Sequence, residues 1–176
     1  MANPKLDLLA QHIRDVPDFP KPGILFKDIT PMLGNAEAFE ACIDLFAEEA
    51  AKSQPTKILG IDARGFIFGA AVARHLGVGF VPIRKKGKLP RQTVEASYAL
   101  EYGEATIAMH TDAIVAGEAV VLIDDLLATG GTAEAAAKLV NQLGGDLKSI
   151  LFLVELDFLN GREKLAPIPV TSFIHV

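Results

Sequence analysis

Val120-Val-Leu-Ile-Asp-Asp-Leu-Leu-Ala-Thr-Gly-Gly-Thr132 begins with four branched apolar residues and then sets two carboxylates side by side, Asp124 and Asp125. The apolar run has the length and make-up of a strand covered on both faces. After two leucines the chain turns through the small residues 128–132 and enters Ala133-Glu-Ala-Ala-Ala-Lys-Leu-Val140, which is rich in helix formers. The stretch therefore predicts strand, loop and helix, with the loop placed at the helix start.

Working outward, the same alternation repeats. Short, continuous, β-branched runs occupy residues 57–61, 79–84, 119–123, 149–154 and 170–174. Between them, residues 36–51, 65–75 and 132–143 carry apolar side chains at spacings of three and four, the last closed by Gly144-Gly145. Strands alternating with helices predict an α/β fold on a central, mainly parallel five-stranded sheet flanked by helices. Two segments break the pattern. Residues 17–31 hold prolines at 17, 20, 22 and 31 and read as an irregular extended excursion after an N-terminal helix over 5–14. Residues 85–110 form a long insertion, strand-like at 97–100 and 105–109, and insertions of that length in compact domains are usually functional lids or disordered.

Bulk properties narrow the setting. At 176 residues and 50% apolar, the chain suits one well-cored domain over 1–176, burying roughly 70% of its unfolded surface. The single cysteine, Cys42, excludes an internal disulfide and lies among Phe39, Ile43 and Phe46 at helical spacing, as a core thiol would. No apolar leader opens the chain and no run approaches the roughly 20 residues that span a bilayer, so a reducing cytoplasm is expected. A net charge of -5 and a pI near 5.3 argue against a sequence-independent grip on nucleic acid or an anionic membrane.

In open parallel sheets ligands collect at the carboxyl ends of strands, where Asp124 and Asp125 are expected. Paired carboxylates hold a divalent ion or accept hydrogen bonds from neighbouring hydroxyls. Thr129-Gly130-Gly131-Thr132 adds backbone N–H groups, two hydroxyls and a helix N-terminus suited to a phosphate. A diol held beside a phosphate describes a ribose 5-phosphate. The plainer alternative, one Asp as a helix cap and the glycines as turn formers, stays open on this stretch alone. No Gly-x-x-x-x-Gly-Lys-[Ser/Thr] occurs, and Gly77-Val-Gly79-Phe-Val-Pro82 ends in proline where a dinucleotide fingerprint needs its third glycine.

Residues 121–132 resemble the phosphoribosyl pyrophosphate motif of type I phosphoribosyltransferases, in the version found in the adenine phosphoribosyltransferase family. Phe19-Pro-Lys-Pro-Gly-Ile-Leu-Phe-Lys-Asp-Ile-Thr-Pro31, Gly60-Ile-Asp-Ala-Arg-Gly-Phe-Ile-Phe-Gly69, Arg84-Lys-Lys-Gly-Lys-Leu-Pro90, Tyr98-Ala-Leu-Glu-Tyr-Gly103 and Gly161-Arg-Glu-Lys-Leu resemble that family in order and spacing. The likeness covers nearly the whole chain. It implies a small N-terminal hood over residues 1–34 that binds the base, a flexible catalytic lid over 85–110, and magnesium-dependent conversion of adenine and 5-phosphoribosyl 1-pyrophosphate to AMP and pyrophosphate.

By the same resemblance Asp124 and Asp125 meet the ribose hydroxyls, and Ala128, Thr129, Gly130, Gly131 and Thr132 cradle the 5-phosphate. Adjacent acids suit a vicinal diol, and their charge favours the oxocarbenium-like transition state expected as pyrophosphate leaves. Asp62, Ala63 and Arg64 become the pyrophosphate loop, in which related proteins often have a non-proline cis peptide, here at 62–63 or 63–64. Arg84, Lys85 and Lys88 belong to a run of five basic residues in eight, with no interleaved aromatic to suggest single-stranded nucleic acid. The resemblance assigns these three to pyrophosphate and implies that part of the segment reaches a neighbouring subunit, hence a homodimer. Glu101 is the expected general acid/base, with Tyr102 helping to close the lid. Ile24, Phe26 and Leu127 are expected to wall the adenine, beside Lys27, which stands where the family pattern has arginine. Magnesium is expected on substrate oxygens, with no protein ligand assigned, and the histidines at 12, 75, 110 and 175 receive no role. Two rival readings remain: a regulator with this fold but no turnover, which should carry a DNA-binding extension or a broad basic face, and a related purine enzyme with a different base choice.

Overall fold

A computed structural model describes residues 3–99 and 103–176. The chain divides into two compact units, one ending at Leu45 and the other beginning at Phe46. The first unit opens with helix α1, Pro4–Gln11, whose start is set by Pro4 in the first turn and by Asn3, whose side chain accepts the Lys5 N–H at 3.1 Å. The sequence predicts this helix as far as 14, but it stops at Gln11. Pro17 disfavours helical backbone at Val16, and the chain goes extended as strand β1, Arg14–Pro17. Strand β2, Leu25–Asp28, pairs antiparallel with it, so the proline-rich excursion contains a small sheet. Its register sets Arg14 opposite Asp28 and Asp15 opposite Lys27, and both pairs close as ion pairs at 2.6 Å. The one-turn helix α2, Thr30–Leu33, follows, and then the 16-residue α3, Ala36–Ala51, which Asn35 caps through the Ala38 N–H at 2.9 Å. Cys42 is fully buried, and burial pushes its thiol far above the ordinary range, so it is inert core.

The second unit is built on β3 (Lys57–Ile61), α4 (Arg64–Leu76), β4 (Gly79–Lys85), β5 (Thr93–Ala99), β6 (Glu104–His110), β7 (Ala119–Leu127), α5 (Gly131–Gln142), β8 (Asp146–Glu155) and β9 (Val170–His175). The strands lie in the order β5-β6-β4-β3-β7-β8-β9. The five expected runs form the parallel part, β4-β3-β7-β8-β9, and β6 joins β4 antiparallel at Arg84 opposite Ala108. The segment 85–110, expected as a lid loop, is therefore in its described residues largely a β-hairpin that extends the sheet to seven strands. Its physical basis is alternation: Val94, Ala96 and Tyr98 turn one face of β5 to the core, with Ile107 and Met109 on β6.

Central strands are apolar on both faces because both are covered. On one side Leu59, Ile83, Leu122 and Phe152 pack with Leu139 and Val140 of α5. Elsewhere in the unit Phe46 meets Phe68 with ring centres 5.6 Å apart and Phe173 at 4.9 Å. Strand β7 also runs further than its apolar stretch predicts. It continues through both acids to Leu127, because β8 pairs alongside as far as Glu155.

Candidate active site

The ends of β3 and β7 lie side by side, since Gly60 pairs with Ile123, and the chain leaves both toward one cleft. This cleft, of about 330 Å³, is bounded by Asp124 and Asp125, by residues 62–64, by Ala128 and Thr132, and by Tyr98 from the hairpin. Seven of the expected site residues thus meet in one place: Asp62, Ala63, Arg64, Asp124, Asp125, Ala128 and Thr132. Beside it a smaller cavity of about 80 Å³ is wrapped by residues 127–132 with Phe152, which adds Thr129, Gly130 and Gly131. Leu127, expected as a wall for the base, is only 1% exposed and lines this smaller cavity.

Helix α5 starts at Gly131, directly out of the loop, and Gly130 precedes it at φ 80° in the left-handed region that glycine tolerates. The first turn of a helix leaves N–H groups without intrahelical partners, so the loop and helix start together form an anion-binding concavity. The α4 start comes close to Asp124: a Cβ on Gly65 would stand 2.8 Å from Asp124 Oδ1 and 2.9 Å from Ile123 O. Only a residue without a side chain lets the helix approach this near.

Asp125 is 5% exposed, and its Oδ2 lies 3.0 Å from Arg64 Nε. The Asp125 N–H donates to Asp124 Oδ1 at 2.9 Å. Burial pushes the Asp124 carboxyl well above the ordinary carboxylate range, and the neighbouring Asp125 charge adds to the rise. Burial raises Asp125 too, with the Arg64 guanidinium pulling it back. Two acids held at this cost in one cleft mark a functional site, since hydroxyl donors from a ligand would relieve both.

Asp62 and Ala63 are joined by a cis peptide bond, at one of the two places the resemblance points to. Arg84 Nε donates to Asp62 Oδ2 at 3.1 Å, and its Nη1 to the Lys88 carbonyl at 3.2 Å, which ties the basic run to the β3 loop. The rest of that run divides. Lys86 pairs with Glu95 at 2.7 Å and Arg91 with Asp112 at 3.1 Å, while Lys85 and Lys88 are exposed and make no ion pair among the described residues. Neither of the two lines the cleft.

In the first unit, Ile24 and Phe26 are half-buried, and Phe26 meets Phe19 edge-on at 5.1 Å. Lys27 is committed to Asp15. Glu101 and Tyr102 lie outside the described residues. Ile61, Leu126 and Tyr98 line the cleft without a role assigned from the sequence, and of these Tyr98 comes from the hairpin. Its signal was the two-residue period that places it on the face of Val94 and Ala96, and its ring stands 3.5 Å from where a Gly131 Cβ would be. Among the described residues one group of possible metal ligands converges, Glu155, Asp157 and His175, within 4.8 Å. Both Glu155 oxygens there already receive Arg162.

The family model described as phosphoribosyl transferase domain matches residues 32–164. An adenine phosphoribosyltransferase of Aeromonas salmonicida is 52% identical over 177 residues, covering 99% of this chain and 98% of that protein. The crystal structure of adenine phosphoribosyltransferase from Thermoanaerobacter pseudethanolicus superposes with a TM-score of 0.94 at 51% identity, over 97% of this chain and 99% of that one. The Saccharomyces cerevisiae enzyme, complexed with an imino-altritol bisphosphate and adenine, gives a TM-score of 0.92 at 41% identity, over 97% of this chain and 98% of that one. On the family match and on relatives of this similarity and coverage, the chain belongs to the phosphoribosyl transferase family, among the adenine phosphoribosyltransferases.

Proposed function

We propose that this chain catalyses adenine phosphoribosyl transfer, in which adenine and 5-phosphoribosyl 1-pyrophosphate give AMP and pyrophosphate in purine salvage. The observation that carries the reading is the Asp124–Asp125 pair at the end of β7, leading straight into an anion cradle at the start of α5. In this reading the two carboxylates accept from the ribose 2- and 3-hydroxyls, which offsets their burial, and residues 128–132 take the 5-phosphate. Arg64 and Arg84, with Lys85 and Lys88 adding positive charge, favour the departing pyrophosphate. The C1–O bond breaks with its electron pair on pyrophosphate while the N9 lone pair of adenine forms the new C1–N bond. The ring proton passes to Glu101, and Tyr102 shields the centre from water. Ile24 and Phe26 supply apolar contact for the base.

Magnesium suits the hard oxygen donors of Asp124 and Asp125, yet Arg64 already neutralises Asp125, so the ion would arrive mainly on pyrophosphate and ribose oxygens. When bound, it neutralises charge on the leaving group. We also propose a cytoplasmic homodimer. No helix of the described residues is long and apolar enough to cross a membrane.

The test is to incubate the protein with magnesium, 5-phosphoribosyl 1-pyrophosphate and, separately, adenine, hypoxanthine, guanine and xanthine, separating nucleotides by chromatography. AMP from adenine alone is expected. A folded protein that binds the donor yet makes no nucleotide from any base would overturn the enzyme reading in favour of a regulator.

A further inference from the structure

Glu155 and Asp125 are the two buried charged side chains among the described residues, and Glu155 lies outside the cleft. Arg162 donates to both of its oxygens, Nε to Oε1 at 3.1 Å and Nη2 to Oε2 at 2.5 Å, and its Nη1 reaches the Val170 carbonyl at 2.7 Å. Burial pushes the Glu155 carboxyl up, but the Arg162 and Ser172 hydrogen bonds and the guanidinium charge outweigh it and hold the group below its usual range. This is a fully engaged fork, not a waiting acid.

What the fork holds is the 3-10 turn Gly161–Leu165, whose first residue is packed backbone to backbone on the phosphate loop. A Cβ on Gly161 would overlap the Ala128 carbonyl oxygen and stand 2.9 Å from Gly130 N. One on Gly130 would overlap the Gly161 carbonyl. Glu155 is also linked through the sheet to the strand end that leads into the loop. It pairs with Leu127 at the end of the β7–β8 ladder, and the next N–H, of Leu156, donates to the Leu127 carbonyl at 2.9 Å. One ion pair therefore joins β8, which is paired to the strand that delivers the loop, to the turn that supports it. A cradle of N–H groups binds only as well as it is held in shape, and small displacements are costly.

We infer that Glu155, Arg162 and Gly161 are positioning residues for the 5-phosphate cradle: the ion pair clamps Gly161 against residues 128–130 and keeps their N–H groups convergent. The inference rests on the phosphoribosyl reading of the site. It separates the 5-phosphate from the pyrophosphate, which the 62–64 loop would take without this support.

Titration calorimetry on the full chain with ribose 5-phosphate and, separately, pyrophosphate tests it in Arg162→Gln, Arg162→Lys and Gly161→Ala. Ribose 5-phosphate should bind about tenfold more weakly or worse in Arg162→Gln and Gly161→Ala, with pyrophosphate changed by less than about twofold. Arg162→Lys, which keeps the charge but loses the fork, should fall between. In turnover the loss should appear in KM for the phosphoribosyl donor more than in kcat. Equal weakening of both ligands would mean a general loss of structure and would overturn the inference, as would unchanged ribose 5-phosphate affinity. Should Gly161→Ala fail to fold, the two Arg162 variants decide. A wild-type chain that binds neither ligand overturns the phosphoribosyl reading itself, whereas normal wild-type binding with indifferent variants overturns the brace alone.

Discussion

Neighbouring strands β7 and β8 both carry acids at their carboxyl ends, and the two ends are opposite in kind. At β7, Asp124 and Asp125 crowd each other with one guanidinium between them and are pushed up by burial. At β8, Glu155 is as little exposed as Asp125 but is less desolvated, has a bidentate arginine and is held down. The first end stores unfavourable electrostatics that a diol can relieve, and the second has nothing left to offer a ligand. Burial of an acid thus says little by itself; the state of its partners separates a binding group from a supporting one.

Neutralising either β7 acid should break the contrast most visibly. Asp124→Asn or Asp125→Asn should lower kcat/KM for the phosphoribosyl donor about 10²–10³-fold, read in initial rates of AMP formation. The same Asp124→Asn change should leave the melting temperature unchanged or raise it, since a charge disfavoured by burial and by Asp125 is removed. A loss of both activity and stability would mean that Asp124 is structural. Glu101→Gln adds a third kind of acid, one that moves a proton, and should lower kcat roughly 10²-fold with a smaller effect on donor affinity. A loss under about threefold removes Glu101 from that role.

Glu155→Gln should behave in reverse order, costing about 2 kcal/mol of stability by loosening a buried charged pair, seen as a melting point lower by about 4–8 °C. The pH dependence carries opposite signs at the two ends. Asp124 is raised, so its contribution is fully present below its ordinary value near 3.8 and is lost as pH rises through its folded value. Glu155 is lowered, so its contribution is present above about 4.5 and is lost as pH falls through its folded value. Melting scans should therefore show the advantage of Asp124→Asn growing as pH rises, and the penalty of Glu155→Gln vanishing in acid. The smallest effect belongs to an exposed pair: Lys138→Ala, which breaks the 2.8 Å contact with Glu134, should shift stability by less than about 0.5 kcal/mol.

The same contrast explains what sequence reading reaches. The β7 end is local: strand, acids, loop and helix are contiguous, so residues 120–132 state the site in one line. The five parallel strands are legible because coverage on both faces makes each an unbroken apolar run. The β8 end is not local, because Gly161 meets Gly130 through a fold that no spacing announces. The β1–β2 sheet lay between these cases. Arg14-Asp15 and Lys27-Asp28 carry the charge order that an antiparallel pairing satisfies, but the prolines around them spoke more loudly for irregular chain. The hairpin at 93–110 was legible only as fragments, since its alternating face is apolar just where the core covers it.

The most direct measurement is a crystal structure of the chain with AMP. The 5-phosphate should lie on the backbone N–H groups of residues 128–132, with both ribose hydroxyls within hydrogen-bond distance of Asp124 and Asp125. A phosphate bound elsewhere, or ribose hydroxyls turned away from those two carboxylates, would contradict it.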